Sequence, residues 1–207
     1  MGLKNKNSGM KMNVVVIIGI VLIVCLALLS IFLFAQNSKI KHETLLFKTI
    51  LYADSQVLEV SLTSQKGGSY YTEASFFYEN QNYKNVESSC RLARGYYSES
   101  SQGYREIRSE LESAEIEDPL INLYSDGLEL LAEIELNMFE ACEHFESASR
   151  YYEKYYNTKV SYDDPSYDMG TSEIEAMNEK IVLHDENVRK YNDILGDFRV
   201  ELKERLE

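Results

Sequence analysis

The 207-residue chain has no tryptophan and only two prolines, Pro119 and Pro165. Proline is the strongest interrupter of a helix, so little in this chain breaks one. Cysteine is too scarce for a disulfide framework. Of the three cysteines, Cys25 lies in an apolar run, which leaves Cys90 and Cys142 as the pair that could form one bridge. Both fall on or beside an apolar helical seam, where free cysteine acts as a small hydrophobe. Histidine is limited to His42, His144 and His184, none with Glu three residues before it, and no HExxH occurs. Carboxylate-bridged di-metal bundles and zincins are thereby excluded. No GxSxG, phosphate loop, dinucleotide fingerprint or CxxC is present, so the expectation is a non-enzymatic protein with no cofactor and no metal.

Positive charge is also in short supply. All 34 acidic residues lie beyond residue 35 with only 18 of the 21 basic ones, which gives residues 36–207 a formal charge of −16. Such a domain repels nucleic acid and anionic head groups. Nucleic acid is therefore not an expected partner.

What the chain does have begins with residues 14–35, VVVIIGIVLIVCLALLSIFLFA, without one charge. At about 1.5 Å per residue such a helix crosses a hydrocarbon core of about 30 Å, and the sequence predicts a transmembrane helix over 13–35. A cleaved secretory signal is the competing reading. The run is longer than a signal core, and no small residue stands two places before Ala35. Bulky Val24 before Cys25 also argues against lipidation. Lysines flank both sides (Lys4, Lys6 and Lys11 before, Lys39, Lys41 and Lys48 after), so charge does not settle orientation. A short tail before an uncleaved span resembles a signal anchor. The expected layout is a basic cytoplasmic tail at 1–12, a single-pass anchor in the cell membrane, a stalk or first bundle helix at 36–66, and the rest of an extracytoplasmic helical bundle at 67–207.

Beyond the span, apolar residues alternate at steps of four and three. One run is Leu46, Ile50, Ala53, Val57, Val60. A second runs from Tyr83 through Val86, Cys90, Ala93, Tyr97, Ser100, Tyr104, Ile107 and Leu111 to Ala114. A third takes Leu120, Tyr124, Gly127, Leu131, Ile134, Met138, Ala141, Phe145, Ala148, Tyr152 and Tyr155. A fourth takes Ile174, Met177, Ile181, His184, Val188, Tyr191, Leu195, Phe198 and Leu202, with Arg205 as its end. Seams of this period predict an all-α fold of long antiparallel helices with coiled-coil-like packing. Breaks are expected at Lys66-Gly67-Gly68, at Asn80-Gln81-Asn82, at Asp118-Pro119 and over 157–171. Asp118 with Pro119, and Ser172 with Glu175, have the spacing of helix starts. Whether residues 80–82 turn the chain decides the direction of every later helix.

Ala74, Phe77, Tyr83, Val86, Cys90 and Ala93 place a small residue and an aromatic on one helix, a polar turn ending in Tyr, then apolar and small positions on a second. This stretch, about residues 70–100, resembles a single tetratricopeptide-like hairpin, with departures at Glu73 and Gln81 and no second unit at about 34 residues. The resemblance implies a protein-interaction scaffold and no chemistry.

Sixteen tyrosines are a marked bias. The pairs Tyr96-Tyr97, Tyr151-Tyr152 and Tyr155-Tyr156 each put one ring on a seam and the other about 100° round the helix. Off-seam rings at Tyr71, Phe76, Tyr78, Tyr96, Tyr151 and Tyr156 make a candidate partner-binding face, and half-buried packing at the border of a slender bundle suits them equally. Weaker candidates are Glu140 with His144 beside Cys142 for a metal, His184 for pH sensing, and Asp163, Asp164 and Asp168 in an acidic loop without EF-hand spacing. Together these features lead to a membrane-anchored protein-interaction or scaffold module that contacts the lipid bilayer and a protein partner of unknown identity, with self-association as one form of it. The alternative is an extracytoplasmic ligand-sensing bundle acting through a separate membrane partner.

Overall fold

The alternating seams become four helices in the computed structural model of the chain, which describes residues 8–157 and 164–206, with side chains for 26 and 28–157 and for 164–205. Helix α1 spans Ser8–Glu79, α2 Tyr83–Ser113, α3 Pro119–Asn157 and α4 Ser166–Leu206. Among the described residues there is no strand. The chain divides into two compact units, Met1–Lys48 and Thr49–Glu207, whereas the expected boundary at 66/67 falls inside α1. Among the described residues no helix is long and apolar enough to cross a membrane. The side chains of residues 1–25 and 27, and with them the basic tail and most of the expected span at 13–35, lie outside the described residues.

From Thr49 onward the helices run alternately up and down. Gln56 bonds Glu110 and Glu73 bonds Ser89 between α1 and α2. Arg94 reaches Glu146 and Arg108 reaches Ser125 between α2 and α3. His144 meets Glu173 and Asp118 meets Arg205 between α3 and α4. In each case rising numbers on one helix meet falling numbers on the next, which is antiparallel packing. Residues 80–82 do turn the chain, as the fold requires.

That turn is a Schellman-type stop. Gln81 adopts φ 56°, its N–H donates to Tyr78 O at 2.9 Å and the Asn82 N–H donates to Phe77 O at 2.9 Å. These two bonds satisfy carbonyls that a helix end otherwise orphans. Glu115 ends α2 in the same left-handed region, at φ 52°. Glycine normally fills such positions because it has no Cβ to clash. This chain places its glycines elsewhere.

Gly67 and Gly68, an expected break, lie within α1 without interrupting it. A Cβ on Gly67 would stand 2.9 Å from Tyr97 Cε1, and one on Gly170 would stand 2.9 Å from Tyr152 Cε1. Gly103 does the same for Val60, at 2.8 Å. These glycines are notches that admit a side chain of the neighbouring helix. Alanines and cysteines continue the close approach: Ala74, Cys90, Ala93, Ala141 and Cys142 are fully buried around Val86, Tyr97, Phe145 and Met177.

The starts of α3 and α4 share one design. Asp118 Oδ1 accepts from the Leu120 N–H at 2.9 Å, and Asp164 Oδ1 accepts from the Ser166 N–H at 2.7 Å, with a proline between the aspartate cap and the donating residue in each case. An aspartate cap suits the positive end of the helix dipole, and proline suits a position with no intrahelical N–H bond to make. Helix α4 therefore begins at Ser166, and the expected start at Ser172 with Glu175 is corrected to lie inside it. Asp118 also holds Arg205, whose two terminal nitrogens approach its carboxylate at 2.8 Å each. That part-buried bidentate pair ties the start of α3 to the end of α4.

Candidate functional site

Where the first turn closes the bundle, aromatic rings form a connected cluster. Tyr78 lies 5.3 Å from Phe145 and 6.0 Å from both Tyr83 and Tyr152, Tyr83 stacks on Tyr156 at 5.7 Å, and Tyr167 joins Tyr152 at 5.6 Å and Tyr155 at 5.3 Å. Offset and edge-to-face pairs of this kind add stability beyond burial alone. Of the six candidate partner-binding rings, Tyr71 and Tyr78 are half-buried against Phe145. Tyr96 stacks on Tyr70 on the flank of α1 and α2, with Lys66 over its ring. Tyr151 is half-buried, and Phe76 and Tyr156 are exposed. The fold joins Tyr78 and Tyr156 through Tyr83 and places Tyr96 in a separate stack. Burial pushes the Tyr71 hydroxyl up to about 12, so it is a neutral packing group at neutral pH.

Cys90 and Cys142 are brought together across α2 and α3 as free, buried thiols. Hydrogen bonding between them, then burial, pushes the Cys90 thiol upward, which makes it a poor nucleophile. Beside them Glu146 is buried among arginines. Arg94 Nη1 stands 3.0 Å from Glu146 Oε2, Arg150 bonds its other oxygen, and Arg94 Nη2 and Arg150 Nη2 also reach Glu143 and Glu87. The Arg94 guanidinium lies 4.7 Å over the Phe139 ring. These charges pair with one another and clamp α2 to α3, while Arg94 Nε is buried without a partner.

A second buried carboxyl has fewer partners. Glu135 accepts from Ser64 Oγ at 2.6 Å through Oε1, while Oε2 has no partner. Burial pushes its pKa up to about 7, against the opposing pull of the Ser64 hydrogen bond. Burial raises the Tyr97 and Tyr104 hydroxyls, and the Glu135 charge adds a smaller push in the same direction. Glu135 and Glu146 are hidden in the sequence, because both lie on a second α3 stripe (Ile121, Ser125, Leu128, Ala132, Glu135, Cys142, Glu146, Ser149) one residue beyond the apolar seam.

Between α1, α3 and α4 a cavity of about 130 Å³ is lined by Val57, Leu128, Leu131, Leu195 and the rings of Tyr124, Tyr191 and Phe198, with Asp54 at its edge. Tyr124 donates to Asp54 Oδ1 at 3.3 Å, and its ring lies 5.8 Å from that of Phe198. Burial, then the Asp54 charge, raises the hydroxyls of Tyr124 and Tyr191. Gly127 forms part of the wall. A Cβ there would meet Tyr191 Cε2 at 3.5 Å, an ordinary contact.

The weaker candidates are engaged in pairs. Glu140 bonds Lys180 at 2.6 Å, His144 bonds Glu173 at 2.7 Å, and His184 bonds Asp185 at 2.9 Å. Among the described residues no three His, Cys, Asp or Glu side chains gather as a metal site. Asp164 caps α4, Asp168 lies in its first turn, and Asp163 lies outside the described residues. Comparison with protein-family models, curated proteins and solved structures found no match. The functional reading therefore rests on the geometry. Ala74, Val86, Cys90 and Ala93 of the tetratricopeptide-like stretch are fully buried, and Phe77 packs against them, within helices that run far past the length of such a hairpin.

Proposed function

We propose that the protein is a single-pass, membrane-anchored, non-enzymatic interaction module whose extracytoplasmic bundle pairs through the outer face of α1. The observation that carries this reading is a second seam on α1, opposite the core-facing one. Leu51, Ser55, Leu58, Leu62, Gln65, Ser69, Thr72 and Phe76 alternate at steps of four and three, all are exposed, and none is charged. Leu51, Leu58, Leu62 and Phe76 are 68%, 66%, 52% and 60% exposed. Four large apolar side chains left open along one uncharged seam mark an interaction surface, and this period is that of a helix partner. The small polar members fit as well. Ser55, Ser69 and Thr72 donate to backbone carbonyls of their own helix at 2.6, 3.0 and 2.9 Å, so they bring no unpaired donor to an interface.

The occupant is a second copy of this chain. Two copies held in one membrane by the same apolar span at 13–35 present identical, uncharged seams side by side, while the −16 of residues 36–207 disfavours contact through the other faces. The test uses the full chain in its membrane with Cys25→Ser to remove the cysteine of the apolar run. Leu58→Cys should give a disulfide-linked dimer under mild oxidation. Glu99→Cys, on the exposed side of α2, should stay monomeric. A monomer from both variants, or equal dimer from both, would remove the α1 face from consideration, and a crosslink to a different protein would replace self-pairing with a heterologous partner.

A further inference from the structure

We infer that the cavity between α1, α3 and α4 is a ligand site for a small organic ammonium ion, with the charged head at Asp54 and an aryl or branched hydrocarbon body against Val57, Leu128 and Phe198. Size limits the ligand first. About 130 Å³ is close to the roughly 150 Å³ of an apolar cavity that holds a benzene ring. Chemistry limits it next. The walls are hydrocarbon and aromatic, and the one acidic group at the edge is Asp54. Its carboxylate is exposed and accepts a single hydrogen bond, from Tyr124 at 3.3 Å. Among the described residues no lysine, arginine or histidine pairs with it. Arg199 is near enough to Tyr191 to lower its hydroxyl pKa, yet forms no ion pair with Asp54.

An anion would be repelled here, and a neutral hydrocarbon would leave the carboxylate without a cation. An ammonium head satisfies the carboxylate by a charge-assisted hydrogen bond. The rings of Tyr124, Tyr191 and Phe198 line the same cavity, and aromatic faces attract a cation and not an anion. Gly127 keeps the space open. This site and the α1 outer face use different residues, so either can fail without the other.

The test is calorimetric titration of the full chain in lipid nanodiscs with benzylammonium, with benzyl alcohol and benzoate as neutral and anionic comparators and empty nanodiscs as the blank. Saturable binding of benzylammonium is expected, at least about tenfold tighter than either comparator, a preference of about 1.4 kcal/mol. Asp54→Asn should weaken benzylammonium about tenfold or more and leave benzyl alcohol little changed. Gly127→Ala should weaken both ligands while raising the melting temperature, which separates loss of space from loss of fold. The inference is overturned by an absence of saturable binding, by benzyl alcohol binding as tightly as benzylammonium, or by Asp54→Asn or Gly127→Ala keeping the parent affinity.

Discussion

Glycine faces the ring of a tyrosine at Gly67, Gly127 and Gly170, and the separations differ. At Gly67 with Tyr97 and at Gly170 with Tyr152, a Cβ would come within 2.9 Å of the ring, whereas at Gly127 with Tyr191 it would stand 3.5 Å away. In the first two the ring already fills the notch, so the glycine is required for the helices to meet. At Gly127 the notch is left partly open and borders the cavity beside Asp54. One residue pair thus makes a closed joint in one region and a recess in another. Packing density, more than residue type, separates the structural part of this bundle from the part available to a ligand.

The sharpest way to break that contrast is to open a hole in the closed region. Phe145 is buried at the meeting of Tyr71 and Tyr78, with ring distances of 6.0 and 5.3 Å. Phe145→Ala should cost about 3–5 kcal/mol, read by denaturant unfolding. A much smaller loss would mean that the aromatic cluster collapses into the space and is looser than the contacts imply. Gly67→Ala tests the joint from the other direction. Overpacking against Tyr97, less the helix-propensity gain of alanine, should leave a net loss of about 1–2 kcal/mol.

Between the two regions lies Glu135, which ties the comparison to pH. Its pKa is pushed up to about 7 from an ordinary 4.5 by burial. Between those values the unfolded chain has released the proton and the folded chain still holds it, so this group makes stability fall as pH rises through the window; above about pH 7 the penalty is constant. The penalty is about 3 kcal/mol. Glu135→Gln, which can still accept from Ser64, should flatten the fall between pH 4.5 and 7 and be the more stable form at pH 8, as read by urea unfolding across pH. An unchanged pH profile would mean that water reaches the unpartnered Oε2.

The α2 seam was legible nearly complete, because Val86, Cys90, Ala93, Tyr97, Ser100, Tyr104, Ile107 and Leu111 are all buried. The α1 seam is plain only as far as Val60, although the same alternation continues through Ser64, Gly67, Tyr71, Ala74 and Tyr78. A hydroxyl and a glycine in successive places look like a loop unless the ring that fills the notch is known. The same blindness hid the second stripe of α3. A helix packed on two sides needs two stripes, and Glu135 and Glu146 disguise one of them as polar surface. At the cavity, Tyr124, Gly127, Leu131, Tyr191, Leu195 and Phe198 all belong to the apolar seams of the sequence. Asp54 was one place off its own, and only the assembled bundle puts it beside them.

The turn at Gln81 gives a further, smaller test in the closed region. A side chain at φ 56° is strained, and Gln81→Gly relieves that strain at some cost in unfolded-state entropy, for a net gain of about 1 kcal/mol. Thermal unfolding should register it without any change in ligand binding.

The smallest effect is the one that most sharpens the contrast, because Gly127→Ala should have the opposite sign to Gly67→Ala although both place one methyl group inside a helix facing a tyrosine. At Gly127 the new Cβ meets Tyr191 and Ile194 at 3.5 and 3.8 Å, which adds dispersion contacts and asks no neighbour to move. Helix propensity then favours alanine by about 0.5–1 kcal/mol. A modest rise in stability would show that the recess is open space in solution, since a methyl group could enter it without displacing anything. A loss comparable to that of Gly67→Ala would mean that Tyr191 closes on Gly127 as Tyr97 closes on Gly67, and the distinction between joint and recess would disappear along with the room for a ligand.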